Sequence, residues 1–549
     1  MSGWDPAVTT LPAGPTVLAV DGPATMDWAA VVGNLSKALA ERGTPVEHLD
    51  LSAQLAPWPG IVERTASAGL SQDPDFERLA AGSLADLFDA VPEPPSQSEG
   101  VVIVFGPGAA LVEHDVLWYV DLPKRYAEAA IVSGDGRNLG QREGDGRPTT
   151  KRLFYIDWPL LDRHRDAVAP HIDRWIDVQD ATGPVSVDGL TLRRTIAHLA
   201  QRPFRTRPTF NTTSWGGHWA QRELGINREA SNTALGYELI APESGVLIGR
   251  PGVQVEVPFQ LVVALHPQQV LGEQVHATFG TLFPIRFDYL DTVDGGNLSV
   301  HCHPRPEYMR EVFGWPYTQH ETYYMMVGGE GRKVYLGLRD GVDVDAFAQE
   351  ARAADRHGLP FDIEQYVQTF PAVAHQLFVI PAGTPHGSGE GNVVLEVSAT
   401  PYLYSLRFYD WLRRDPQNGQ RPVHVDHAFN NLGTDRTGDK VRTDLVQPPR
   451  IVREDRRGWR EELLGALPEM FFEVRRVVID CDEPAEDDTA GRFHILNVVE
   501  GDGVLVETAS GHRHSLAYAE TLVVPAAVGT YTLHRLGSAR VLLVKSLVP

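Results

Sequence analysis

A pair of turns that occurs twice constrains this chain more than any other feature. Met325-Met-Val-Gly-Gly-Glu-Gly331 matches Asn497-Val-Val-Glu-Gly-Asp-Gly503, and Val379-Ile-Pro-Ala-Gly383 matches Val523-Val-Pro-Ala-Ala527, in the same order. Short apolar runs broken by Gly and Pro surround them, the pattern of all-β structure. The predicted strands are 236–240, 245–248, 253–257, a run centred on His301, 322–327, 333–338, 376–380 and 393–397, with a more helical insertion at about 343–371. The chain is therefore expected to carry one β unit twice. Extending both matches without gaps sets Glu321 opposite Phe493 and His386 opposite Thr530. On that alignment the second copy keeps the turns, loses the polar groups, and reads as a non-catalytic domain.

The first 200 residues follow another rhythm. Thr16–Asp21 reads as a buried strand, about 26–42 as a helix ending at Gly43, and 45–51 as the next strand, a βαβ opening. Strands at 101–105 and 116–120 and helical segments near 75–90 and 159–176 complete an open α/β sheet. The order of elements resembles nucleoside and uridine kinases. Where a P-loop would carry Gly-Lys-Ser/Thr, however, the chain has Asp27-Trp28-Ala29. An aspartate there repels a polyphosphate, so the loop reads as degenerate and the domain as a scaffold or homo-oligomerisation unit. The expected division is 1–205 for this α/β domain, 206–425 for a catalytic metal-binding β domain, and 426–549 for a linker and the second β copy. Residues 194–211 and 413–450 read as connections.

A net charge of −23 disfavours nucleic acid or an anionic membrane surface as partner, both of which need a basic footprint. Met1-Ser-Gly-Trp-Asp-Pro lacks the features of a signal peptide, and two cysteines in 549 residues form no disulfide framework. A cytoplasmic location is the expectation.

The chemistry concentrates in Leu298-Ser-Val-His-Cys-His-Pro304. Strand parity puts His301 and His303 on one face, roughly 7 Å apart. Glu321 lies on the next strand, and His386 follows the Pro381-Ala-Gly-Thr-Pro turn. Three imidazoles and one carboxylate suit zinc or another divalent ion. Glu396 is a candidate for proton transfer or substrate orientation, with a buried structural carboxylate as the alternative.

These motifs together resemble the class I mannose-6-phosphate isomerases of the cupin superfamily. The resemblance runs through Trp215-Gly-Gly217, Ala234-Leu-Gly-Tyr-Glu238, Phe283-Pro-Ile-Arg-Phe-Asp-Tyr289, Asn297 to Pro304, Glu321-Thr-Tyr-Tyr324, Ile380 to His386, Val394-Leu-Glu396 and Leu406 to Trp411, covering roughly 206–549. It implies two cupin-type jelly-roll units after the kinase-like sheet. It further implies metal-dependent interconversion of mannose 6-phosphate and fructose 6-phosphate, with His301, His303, Glu321 and His386 as ligands and Arg407 as the catalytic arginine. Glu238 matches a family glutamate near the substrate, or else caps a strand. Trp215 is a substrate contact or core. Gln319 stands where the family has a lysine, and His301 where it has glutamine. The alternatives are a non-catalytic sugar-phosphate-binding regulatory protein, suggested by Gln319, and an iron cupin oxygenase using the same ligands.

Overall fold

The computed structural model describes residues 1–67, 69–95, 99–415 and 419–549. The chain divides into two compact units, one of 1–199, 245–266 and 312–314, the other of 200–244, 267–311 and 315–549. Among the described residues no helix is long and apolar enough to cross a membrane.

In the first unit a six-stranded sheet runs in the order Val46–Asp50, Val101–Phe105, Thr16–Asp21, Val116–Asp121, Arg174–Asp177, Val185–Asp188. The first five strands are parallel and the last antiparallel. Central strands such as Val101-Val-Ile-Val are apolar on both faces because both are covered. The helix after the first strand spans Trp28–Ala40, and Asp27 caps it by accepting the Ala30 N–H at 2.9 Å. Asp21 occupies the turn itself. It accepts N–H groups from Gly22 (2.7 Å), Gly108 (3.1 Å) and Ala110 (2.8 Å), and pairs with His164 Nε2 at 2.7 Å. The unit thus spends donors of this turn on its own carboxylate.

Several expectations for connecting segments need correction. The stretch 75–90 contains only a 3₁₀ turn at Leu84–Leu87, closed by a Ser83–Asp86 capping box. The 159–176 segment is a helix over Trp158–Val168 followed by the strand Arg174–Asp177, whose four residues are all buried. The strands expected at 245–248 and 253–257 do not join a larger β sheet. They form a separate hairpin, Gly245–Arg250 with Val253–Pro258, inside the first unit. There Arg125 clamps Glu256 with two 2.8 Å bonds.

The second unit holds four sheets. One runs 377–380, 321–327, 393–399, 285–291, 235–239, 209–211, and another 367–371, 333–338, 386–388, 300–302, 406–409. Tyr323, Met325, Phe378 and Val394 from the first share a core with Val334, Leu336 and Phe370 from the second. The helix Val344–His357 interrupts the strand run as expected. The connection 413–450, of which 416–418 lie outside the described residues, contains helices Val425–Asn431 and Asp439–Leu445. Their i, i+3 and i, i+4 pairs Val425/Ala428 and Val441/Leu445 are buried. The C-terminal residues form two further sheets, ordered 450–455, 459–465, 473–479, 541–547, 494–500, 521–524 and 485–488, 530–535, 503–508, 513–517.

Register corrects the gapless alignment of the copies. Glu321 pairs with Ile380, the residue before Pro381, whereas the residue before Pro525, Val524, pairs with His494 and not with Phe493. Likewise His301 pairs with His386, and in the second copy Asp487 pairs with Tyr531 and not with Asp488's partner Thr530. The turns differ in length between the copies, and a one-residue slip moves every side chain to the opposite face.

Candidate metal centre

Three strands bring the polar cluster together. His301 lies on 300–302 with His303 just beyond its end, Glu321 begins 321–327, and His386 begins 386–388. One ligand atom from each falls within 4.8 Å of the others, and all four residues are buried.

Hydrogen bonds orient the rings. Nδ1 of His301 faces the Ser299 carbonyl at 3.0 Å, that of His303 the Tyr404 carbonyl at 3.2 Å, and that of His386 the Thr384 carbonyl at 2.8 Å. A carbonyl only accepts, so each Nδ1 carries the proton and each Nε2 keeps its lone pair. Nε2 of His303 lies 2.6 Å from Glu321 Oε2, and that of His386 3.0 Å from Oε1. Glu321 Oε1 and His386 Nε2 nevertheless make no hydrogen bond in the structure. Lone pairs of neutral imidazoles converging on a carboxylate, in a buried space, are what a divalent cation satisfies, so the residues fit the ion. Burial pushes His301 and His303 below the ordinary imidazole range, which favours their neutral, ligating form.

Gln319 donates from Nε2 to Glu321 Oε2 at 2.9 Å, and its Oε1 has no partner. It therefore braces the carboxylate from the side. A cavity of about 140 Å³ opens over the cluster, with Trp215, Gln319, Glu396 and Arg407 in its wall. Arg407 is half-buried and sits opposite His301 in register. Asp410 pairs instead with Arg413 (2.7 Å) and Arg421 (2.9 Å).

Glu238 is not brought to this cavity. Strand alternation turns Leu235 and Tyr237 toward it, and the Glu238 carboxylate accepts the Thr521 N–H at 3.0 Å and faces Arg205 at 3.5 Å.

Sequence reasoning missed the charged floor of the cavity. Arg286 binds Glu396, lies 3.2 Å from Asp288, and donates Nε to Ser398 Oγ at 2.6 Å. Ser398 in turn donates to Glu396 at 2.9 Å. Register sets Asp288 beside Glu396 and Glu396 beside Tyr323. Burial raises Glu396 and Asp288 above the ordinary carboxyl range, against the lowering effect of Arg286. The available signal was Ile285-Arg-Phe-Asp-Tyr289, where two charges alternate with apolar residues in a buried strand.

Residues 3–201 match the model of a domain of unknown function (DUF8485), so the kinase resemblance gains no support from that comparison. The chain is 28% identical over 218 residues to a mannose-6-phosphate isomerase of Streptococcus mutans, covering 40% of this chain and 64% of that protein. It thus spans less than two thirds of that relative. It is 24% identical over 248 residues to a probable mannose-6-phosphate isomerase of Bacillus subtilis, covering 45% and 72%. The crystal structure of the mannose 6-phosphate isomerase from Bacillus subtilis matches at 20% identity and a TM-score of 0.49, covering 63% of this chain and 99% of that one. The relatives and structural neighbours are thus mannose-6-phosphate isomerases at low identity.

Proposed function

We propose that the second unit is a metal-dependent aldose-ketose isomerase that interconverts mannose 6-phosphate and fructose 6-phosphate. One observation carries the reading. Three Nε2 lone pairs and one carboxylate converge, each imidazole locked by a backbone carbonyl, at the base of a cavity that also holds an arginine and a second carboxylate. The isomerase relatives support the substrate class. The organisation that goes with it is an α/β domain over 1–205, a catalytic cupin-type unit over 206–425 apart from the segments 245–266 and 312–314 that belong to the first unit, and a linker with a second cupin-type unit over 426–549.

His301, His303, Glu321 and His386 would hold a divalent ion of the zinc class, which supplies electrophilic stabilisation for an oxyanion developing on the substrate. Moving a carbonyl between C1 and C2 requires a proton to leave one carbon and arrive at the other, with an enediolate between. Arg407, cationic at any working pH, faces this charge from the cavity wall. Glu396, fixed by Arg286 and Ser398, is the carboxylate placed to hold or pass the proton. Trp215 supplies an apolar wall, and Gln319 keeps Glu321 aligned. A volume of about 140 Å³ equals that of roughly five waters, which suits the reacting end of a sugar.

The test is a coupled assay for fructose 6-phosphate formed from mannose 6-phosphate. Turnover that chelator abolishes and added zinc restores is the expected result. A metal-replete protein that binds the sugar phosphate without converting it would replace this reading with that of a sugar-phosphate-binding protein.

A further inference from the structure

The C-terminal sheets contain a second polar cavity, of about 320 Å³, that the proposed reaction does not use. Its walls continue the interior face of the surrounding strands. Val541 and Leu543 point into the apolar core, and the next residue on that face is Lys545. The same change occurs from Val498 and Leu496 to His494, from Ala485 to Asp487, from Ile479 and Val477 to Arg475, and from Trp459 to Glu461. Five strands thus exchange apolar for charged interior positions at one end of the unit. A surface accident does not produce such a pattern, because each of these positions would otherwise bury an aliphatic side chain.

The location matters as much as the composition. Register places His494 where the first copy has Glu321, Asp487 where it has His301, and Tyr531 where it has His386. Lys545 pairs with Leu496 as Glu396 pairs with Tyr323. The second copy therefore keeps a polar cluster at the position of the metal centre, with a cation, Lys545, where the first copy has Glu396.

Lys545, 1% exposed, bonds Glu461 at 2.5 Å and Asp487 at 2.7 Å. Arg453 lies 3.0 Å from each of the same carboxylates. These two acids are thereby neutralised inside the cluster. Arg492 lines the cavity, and among the described residues its guanidinium has no hydrogen-bond or ion-pair partner. His494 spends Nδ1 on the Tyr531 hydroxyl at 2.8 Å, and its Nε2 has no partner among the described residues. Four cations and three carboxylates line this cavity, and Arg475 is also bound to Glu473, so among the described residues Arg492 is the cation left without a counterpart.

We propose that this cavity is a second ligand site, specific for a small hydroxylated phosphate ester. The phosphate sits on Arg492, and the hydroxyls reach His494 and the carboxylates of Asp488 and Glu461. The unpartnered guanidinium of Arg492 selects the phosphate. Asp487 already accepts from Arg453, Tyr531, Lys545 and the Asp488 N–H, so His494 Nε2 and the remaining lone pairs of Glu461 and Asp488 select hydroxyls over a bare anion. The volume falls within the range of small-molecule sites. The proposal does not depend on turnover at the metal centre.

The experiment is isothermal titration of the full-length, metal-replete protein and of its Arg492→Glu variant with mannose 6-phosphate, inorganic phosphate and unphosphorylated mannose. Loss of a charge-assisted contact and its replacement by repulsion predicts affinity at this site lower by on the order of a hundredfold. The wild type should show one sugar-phosphate binding event that the variant lacks, weaker competition from inorganic phosphate, and none from mannose. If the metal centre binds sugar phosphate as well, a second event survives in the variant, so failure of the isomerase reading leaves this outcome intact. Identical isotherms for wild type and Arg492→Glu overturn the proposal, and the cluster is then a self-compensated polar plug. Equal competition by inorganic phosphate and the sugar phosphate overturns the ester specificity. Arg492→Lys, which keeps the charge, should retain binding within about tenfold and guards against a folding defect in the first variant.

Discussion

Gln319→Ala should weaken metal binding although Gln319 is not a ligand. Its Nε2 donates to Glu321 Oε2 at 2.9 Å, the same oxygen that lies 2.6 Å from His303 Nε2. A hydrogen bond to a charged group is worth about 1.5–3 kcal/mol net, and both partners are buried, so solvent screening does not discount it. That energy corresponds to an affinity lower by on the order of tenfold to a hundredfold, the range observed when outer partners of metal ligands are removed. The assay is competition for zinc against a chromogenic chelator, run in parallel on wild type, Gln319→Ala and Gln319→Glu. Gln319→Glu sets a second carboxylate beside Glu321. It should tighten binding of the divalent ion while costing stability in the metal-free protein, because like charges then meet without solvent. Unchanged zinc affinity in Gln319→Ala would refute the bracing role and with it the hydrogen-bond logic of the centre.

His303→Ala should abolish stoichiometric metal as read by elemental analysis, because it removes a ligand and leaves Glu321 Oε2 facing only Gln319. Arg286→Met should destabilise the second unit by about 3–5 kcal/mol, since Glu396, Asp288 and Glu321 then share one buried region without their cation. Glu396→Gln should cost less, because Asp288 still faces Arg286. Denaturant unfolding followed by a probe within this unit distinguishes the two. A pH dependence follows from His494, which burial pushes down to about 3. Its folded value lies below the unfolded value of about 6.5, so its contribution is present above that pH and is lost as pH falls toward 3. Thermal melts between pH 7 and 4 should show a steeper loss in wild type than in His494→Asn.

The metal ligands were legible because each rests on a local rule. Strand parity joined His301 to His303, and the Pro381-Ala-Gly-Thr-Pro turn fixed the start of the strand carrying His386. The same rule turns Leu235 and Tyr237, and not Glu238, toward the cavity. The second cavity was hidden by a slip of one residue. A gapless match put exposed Thr530 and apolar Phe493 at positions that Tyr531 and His494 occupy. The Gly245–Pro258 hairpin was readable as strands but not in its partnership. That depends on long-range contacts such as Arg125 with Glu256, which no local pattern encodes. The same holds for Arg286, whose role appears only when register sets it among Ser398, Glu396 and Asp288.

The most direct measurement is NMR of mannose 6-phosphate incubated in D2O with the zinc-loaded full-length protein, followed to equilibrium. The account predicts that fructose 6-phosphate appears, that some of it carries deuterium at C1 from exchange at the proton-transferring group, and that neither occurs with His303→Ala. Zinc-loaded wild-type protein that leaves the mannose 6-phosphate spectrum unchanged would contradict it.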